Sequence, residues 1–324
     1  MTVVVTGAAG FVGYHVTTAL LARGEQVVGI DIVNDYYDVG LKEARLAQLA
    51  GHQGFILHRA DIADPDAVST ILAGAGPVTG VIHLAAQAGV RYSLKNPYAY
   101  VHSNLLGQVA MFECVRALDP VPALVYASSS SVYGGNDKFP FSVADRVDHP
   151  VSLYAATKRG GELLAESYAA IYGMKSTGLR FFTVYGPWGR PDMAYYSFTK
   201  AILAGEPIPV FNDGKLERDF TYIDDVVAGV LAALDRPADL ARLHRIYNLG
   251  NNKPEPLMRF IRAIETALDC KAMLEFQPMQ PGDVKATAAD IDDSIRDLGF
   301  VPRIGIDEGI PRFVRWYKDY YGIA

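Results

Sequence analysis

Tyr154 and Lys158 stand four residues apart in Tyr-Ala-Ala-Thr-Lys. On a helix that spacing puts both side chains on one face. A phenol with a pKa of about 10 is a poor base at neutral pH. An ammonium one turn away favours the phenolate, as does any cationic ring beside it. The pair then takes and returns the proton of an alcohol. Ser129, 25 residues earlier in Ala-Ser-Ser-Ser-Ser-Val-Tyr, offers a hydroxyl to hold the reacting oxygen. A Tyr and a Lys at this spacing are common on exposed helices. Their order relative to other motifs gives them meaning here.

Gly7, Gly10 and Gly13 follow the apolar run Thr-Val-Val-Val-Thr and precede a helical pattern. Glycines at this spacing permit a tight turn, a close pyrophosphate and close helix–strand packing. The helix N-terminus then presents unpaired N–H groups to the phosphates. A strand before and a helix after are the context this motif requires. Asp31 closes the second strand, 18 residues after Gly13. A carboxylate there accepts from an adenosine ribose and repels a 2′-phosphate, which favours NAD over NADP. Asp61, after the third strand, is placed either to bond the adenine amino group or to cap a turn.

The elements that must position these groups alternate. Strands are expected at Thr2–Thr6, Gln26–Asp31, Gly54–Ala60, Thr79–Ala86, Ala123–Ser128 and Ser176–Phe182. Helices are expected at Tyr14–Arg23 (ended by Gly24), Pro97–Leu118 and Ser152–Tyr172. Near-continuous apolar strands joined by helices predict an α/β fold, a Rossmann-type doubly wound parallel sheet. After Tyr185 the pattern changes, with prolines at 207, 209, 254, 256, 278 and 281. A smaller mixed α/β C-terminal substrate domain is expected there. Residues 1–182 form the cofactor domain, which Asp224–Leu234 and Arg245–Leu249 rejoin (224–249); 183–223 and 250–324 form the other.

The glycine motif, Asp31, Asp61, His-Leu-Ala-Ala at 83–86, Asn104, Ser129, Tyr154 and Lys158 together resemble the extended short-chain dehydrogenase/reductase family over essentially the whole chain. The resemblance implies tightly held NAD, bound by Gly7, Gly10, Phe11, Val12, Gly13, Asp31, Asp61, Ile62, Leu84, Ala85, Ala86, Asn104, Tyr154, Lys158 and Phe182. It also implies a nucleotide-sugar substrate and a homodimer built on the helices that carry Asn104 and Tyr154. Gly160 and Gly161 in the second of these cost about 1 kcal/mol each relative to alanine, which close helix approach would explain.

Which reaction follows is narrowed by three features. Family members that eliminate water carry Asp-Glu after the Ser/Thr, and decarboxylating members tend to place a Glu just before the Val-Tyr. Ser130 and Ser131 stand at those places, and a serine cannot serve as a carboxylate base. The stretches Arg180–Ala194 and Asn34–Arg45 are similar to the UDP-glucuronate 4-epimerases of the family, the latter read as a loop. Ser130, Ser131, Thr183, Arg91 and Arg190 could hold a sugar carboxylate. The resemblance assigns Arg218 to the diphosphate, Asp283 to the uridine ribose and Phe211 to the uracil, with Ser129 and Tyr154 at the reacting hydroxyl. Gln280 stands where galactose epimerases often have a second phosphate-binding arginine.

The expected reaction is inversion of carbon 4 of UDP-glucuronate to UDP-galacturonate through a 4-keto sugar and transient NADH. The rivals are a UDP-glucose/galactose 4-epimerase, a UDP-glucuronate decarboxylase and a non-catalytic NAD-binding sensor. A formal charge of −6 with no basic run speaks against a nucleic-acid partner. Cys114 and Cys270 have no metal spacing, and no metal site is expected. Neither a signal segment nor a membrane span is expected, which points to a cytoplasmic protein.

Overall fold

The structure, a computed structural model, describes residues 1–236, 242–280 and 283–323. Pro281 lies outside the described residues, as do parts of the stretches 224–249 and 250–324.

Six strands alternate with helices along the first half. They are β1 (Thr2–Thr6), β2 (Gln26–Ile30), β3 (Phe55–His58), β4 (Val78–His83), β5 (Ala123–Ser129) and β6 (Ser176–Phe181). The strands that follow are β7 (Thr183–Tyr185), β8 (Pro207–Phe211), β9 (Glu217–Tyr222), β10 (His244–Leu249), β11 (Pro254–Pro256) and β12 (Met273–Gln277). The first six and β10 form one parallel sheet in the order β10-β6-β5-β4-β1-β2-β3. Chain order reverses beside β1, the switch point where ligands of open α/β sheets bind. Alternate residues face opposite ways. Val3 and Val5 pack into one core and Val4 into another, so both faces are covered.

The helices are α1 (Phe11–Ala22), α2 (Val39–Leu49), α3 (Pro65–Gly74), α4 (Tyr92–Lys95), α5 (Pro97–Val101), α6 (Gly107–Arg116), α7 (Leu153–Tyr172), α8 (Ala194–Ala204), α9 (Ile223–Asp235), α10 (Leu257–Leu268), α11 (Asp292–Leu298) and α12 (Ile306–Tyr321). Four departures from expectation matter to the site. The first helix starts directly after Gly10, three residues earlier than its apolar spacing suggests. The segment from Asn34 is a loop only to Asp38, whose side chain caps α2. The expected long helix from Pro97 is widened between α5 and α6 by a π turn, His102–Leu106; such turns gather at functional sites. The sixth strand ends at Phe181. After Phe182 the chain leaves the large sheet for a three-stranded one, β11-β9-β7. Strands β8 and β12 form a separate parallel pair.

Helix α7 carries Tyr154 in its first turn. Ser152 caps it by accepting from the Ala155 N–H at 3.1 Å, and Gly173 closes it in the left-handed region. Loss of such an N-cap costs about 1 kcal/mol. The Gly160–Gly161 pair seats α7 against its own chain. A Cβ on Gly161 would lie 2.4 Å from the Gln108 amide oxygen, and one on Gly160 2.9 Å from Leu105.

Candidate active site

A cavity of about 680 Å³ opens at the switch point. Its walls bring together Gly7, Gly10, Phe11, Val12, Gly13, Asp31, Asp61, Ile62, Leu84, Ala85, Ala86, Ser129, Tyr154, Lys158, Phe182 and Arg190.

The glycine turn is shaped for a dinucleotide. A Cβ on Gly13 would sit 1.9 Å from the Gly7 carbonyl oxygen, and one on Gly7 2.9 Å from the Ala85 nitrogen. Only bare backbone fits, and it leaves a cradle. No side chain caps α1, so its first N–H groups have no side-chain partner at the cavity wall. Asp31 accepts from the Ala9 N–H at 3.0 Å and the Val33 N–H at 2.8 Å. Each carboxylate oxygen keeps a lone pair for a ribose hydroxyl. These residues fit NAD. Asp61 is more engaged than the sequence suggests. One oxygen takes the Ala63 N–H at 2.9 Å, and the other meets His102 Nε2 at 2.7 Å. Burial raises its carboxyl, but the His102 bond and the Ala63 N–H outweigh this and lower it.

Asn104, expected at the cofactor, is engaged with its own chain. Its carbonyl accepts from the Gln87 N–H at 2.8 Å, and its NH₂ donates to the Gln87 carbonyl and the Thr157 hydroxyl, both at 3.0 Å. Both amide hydrogens of the buried side chain are used, and it does not line the cavity. It braces Gln87, which does.

At the reacting end, Tyr154 packs edge-on against Tyr100, ring centroids 6.0 Å apart. Burial raises the Tyr154 phenol, and the groups that oppose this are the Ser129 hydroxyl and the Arg190 charge. Lys158 Nζ donates instead to the Ala127 carbonyl at 2.9 Å. Burial lowers Lys158 to about 8, against the upward pull of Glu162. Beneath the pair, Glu162 accepts from Arg180 at 2.7 and 2.8 Å and from the Ser128 hydroxyl at 2.6 Å. This buried ion pair fixes α7 to β5 and β6.

Arg190 faces the cavity already paired with Asp192, its Nε 3.0 Å from one carboxylate oxygen. Burial disfavours the Arg190 charge, but Asp192 outweighs this and raises its pKa. Tyr36 donates to Asp192 at 3.1 Å, and its ring lies 4.8 Å from Tyr92. The turn before Arg190 is held from afar. Burial pushes His15 down to about 4, so it stays neutral near pH 7 and donates to the Pro187 carbonyl at 2.9 Å. Trp188 has φ of +60°, a left-handed conformation that costs a bulky residue about 1–2 kcal/mol. Its ring packs against Tyr14, Trp316 and Tyr320 at 5.6, 5.2 and 5.2 Å.

Other expected sugar-nucleotide residues lie outside the cavity walls. Arg91 stacks on Phe211, 5.0 Å from its centroid. Arg218 and Asp283, assigned to different parts of the nucleotide, are joined by an ion pair of 2.6 Å. Ser130 and Ser131 turn into a short 3-10 segment, where the Ser131 N–H donates to Ser129 Oγ at 3.2 Å. Thr183 opens β7 opposite Phe220. Sequence reasoning missed Tyr36, Tyr37, Lys42, Gln87, His102 and Met193, which line the cavity. Tyr36, Tyr37 and Lys42 lie in the stretch Asn34–Arg45, whose aromatic and basic content was the available signal.

UDP-glucuronate 4-epimerase 4 of Arabidopsis thaliana is 50% identical over 338 residues, spanning 99% of this chain and 76% of the plant protein. Protein CapI of Staphylococcus aureus is 45% identical over 99% of both chains. The crystal structure of UDP-glucuronic acid 4-epimerase from Bacillus cereus in complex with UDP-glucuronic acid and NAD is 33% identical and superposes with a TM-score of 0.90. It covers 99% of this chain and all of that one. Residues 3–250 match the model of the NAD dependent epimerase/dehydratase family. With its glycine cradle, half-buried Tyr154 and buried Lys158 at one parallel-sheet switch point, the chain belongs to that family.

Proposed function

We infer that this chain is an NAD-dependent epimerase that inverts carbon 4 of UDP-glucuronic acid to give UDP-galacturonic acid. One observation carries the reading: a dinucleotide cradle, an acid–base phenol and the Arg190 cation share a single cavity. The likeness to plant and bacterial UDP-glucuronate 4-epimerases supports it.

Bound NAD supplies a reversible hydride acceptor. Tyr154 removes the proton of the 4-hydroxyl and returns it once the 4-keto sugar presents its other face. Ser129 holds the reacting oxygen. Burial keeps Tyr154 protonated in the protein alone, so its action as a base needs added positive charge beside it. Lys158, fixed by Ala127 and near 8, remains mostly cationic at neutral pH. A 4-keto hexuronate is a β-keto acid that loses carbon dioxide when the breaking bond stands perpendicular to the carbonyl. Arg190, with Ser130, Ser131 and Thr183, holds the carboxylate out of that alignment.

Residues 1–182 with 224–249 serve the cofactor, and 183–223 with 250–324 serve the UDP sugar. Arg91, Phe211, Arg218 and Asp283 receive the nucleotide, which requires the Arg218–Asp283 pair to open or share its ligand. The chain works in the cytoplasm as a homodimer joined through the helices that carry Asn104 and Tyr154. Leu106, Leu163 and Ile171 leave apolar side chains exposed there. No helix among the described residues is long and apolar enough to cross a membrane.

Proton NMR of the sugar signals, with UDP-glucuronate and NAD, tests the reaction. UDP-galacturonate is the expected product. A UDP-pentose as main product, or turnover of UDP-glucose alone, overturns the reading.

A further inference from the structure

We propose that Arg45 is a positioning residue that sets the aim of Arg190 by tying its turn to the glycine-rich turn of the dinucleotide site. The idea deepens the reading above and rests on it. Arg45 is fully buried in α2. Its guanidinium makes five hydrogen bonds, as many as it has N–H donors. Nε and Nη2 donate to the Trp188 carbonyl at 3.1 and 2.7 Å, and Nη2 also to the Gly189 carbonyl at 3.0 Å. Nη1 donates to the Ala9 carbonyl at 2.9 Å and the Tyr37 hydroxyl at 2.8 Å. Every acceptor is neutral, and among the described residues no carboxylate pairs with it.

A buried charge without a counter-ion is a poor way to fill space. A planar fork is a good way to hold several backbone carbonyls at fixed separations. The carbonyls it holds are informative. Ala9 lies between Gly7 and Gly10, and its N–H goes to Asp31. Trp188 and Gly189 immediately precede Arg190, and Trp188 is the residue in the strained left-handed conformation. Such a conformation persists only where its surroundings over-determine it. The Gly189 backbone is pressed against Tyr195, since a Cβ there would lie 2.0 Å from the Tyr195 hydroxyl. Rotating the Trp188 peptide would break the Arg45 bonds and swing Arg190 off the cavity. A lysine at this position has one point of attachment and cannot span the Ala9 and Trp188–Gly189 carbonyls together.

The test is Arg45→Lys, alone and in an Arg190→Met background, assayed with UDP-glucuronate and NAD. Arg45→Lys is expected to raise KM by about tenfold or more and the UDP-pentose share of product several-fold. In the Arg190→Met background it adds nothing further to that share, because it acts through Arg190. A lowered Tm with KM and product ratio unchanged, or an equal rise in pentose in both backgrounds, overturns the proposal. Should Arg45→Lys not fold, Tyr37→Phe in the same two backgrounds removes one bond of the fork and gives the same pattern at about two- to threefold amplitude. Wild-type protein that makes no UDP-galacturonate would instead refute the reaction itself.

Discussion

The two ends of the cavity are built in opposite ways. The phosphate cradle of the dinucleotide end comes from residues close in sequence: Gly7 to Gly13, with Asp31 bonded back to Ala9. Its ligand groups are largely backbone N–H. The sugar end depends on remote partners. Pro187 leans on His15, Trp188 and Gly189 on Arg45, Trp188 on Trp316 and Tyr320, and Asp192 on Tyr36. Backbone alone can cradle a diphosphate, because the helix start fixes its N–H groups. One long side chain cannot aim itself, and its direction must be held by elements folded around it.

The largest effect is expected from the group both ends serve. Tyr154→Phe should lower kcat by about 10²- to 10⁴-fold while extracted NAD stays at the wild-type amount. Retained turnover by NMR would end the case for the phenol. Next comes a change confined to the dinucleotide end. Gly13→Ala forces a methyl to 1.9 Å from the Gly7 oxygen, an overpacking worth about 1–3 kcal/mol. Protein-bound NAD and Tm should both fall, and a variant that binds NAD normally contradicts the cradle.

The matching change at the sugar end is Trp188→Ala. It should raise the UDP-glucuronate KM about tenfold and leave NAD affinity within about twofold. Equal losses of both would erase the contrast between the ends. The smallest effect is a pH shift. Lys158 loses its proton near 8 in the folded chain and near 10.5 when unfolded. The unfolded state binds more protons between those values, so stability should rise with pH across that window. Activity that needs the ammonium should fall above about 8. Glu162 raises Lys158, so Glu162→Gln should move the alkaline limb of the pH–rate profile to lower pH. An unmoved limb would detach it from Lys158.

Much of the cavity was legible beforehand because its signals are local. Of the expected cofactor residues, all but Asn104 line it. Asn104 meets Gln87 and Thr157, partners 17 and 53 positions away that its own place in the sequence does not reveal. The π turn was not legible, since its residues also satisfy an ordinary helical spacing. Residues 34–45 read as a loop because Asp35, Tyr36 and Tyr37 break the apolar rhythm just before Asp38 caps α2. The tuning of Tyr154 by Lys158 was inferred from spacing. Helical register sets which face a side chain shares, but the Ala127 carbonyl decides where the amine points.

The sequence by itself determined the parallel α/β architecture, the glycine turn, the preference implied by Asp31, and the Tyr154–Lys158 helix. Each follows from periodicity or from backbone demands met within a few residues. Tertiary structure alone decided that Phe182 marks the crossing between sheets, that Arg218 meets Asp283, and that Arg45 braces the turn before Arg190. Those contacts join residues up to 144 positions apart. No local pattern encodes them; they exist only once the sheet has closed and its helices have packed.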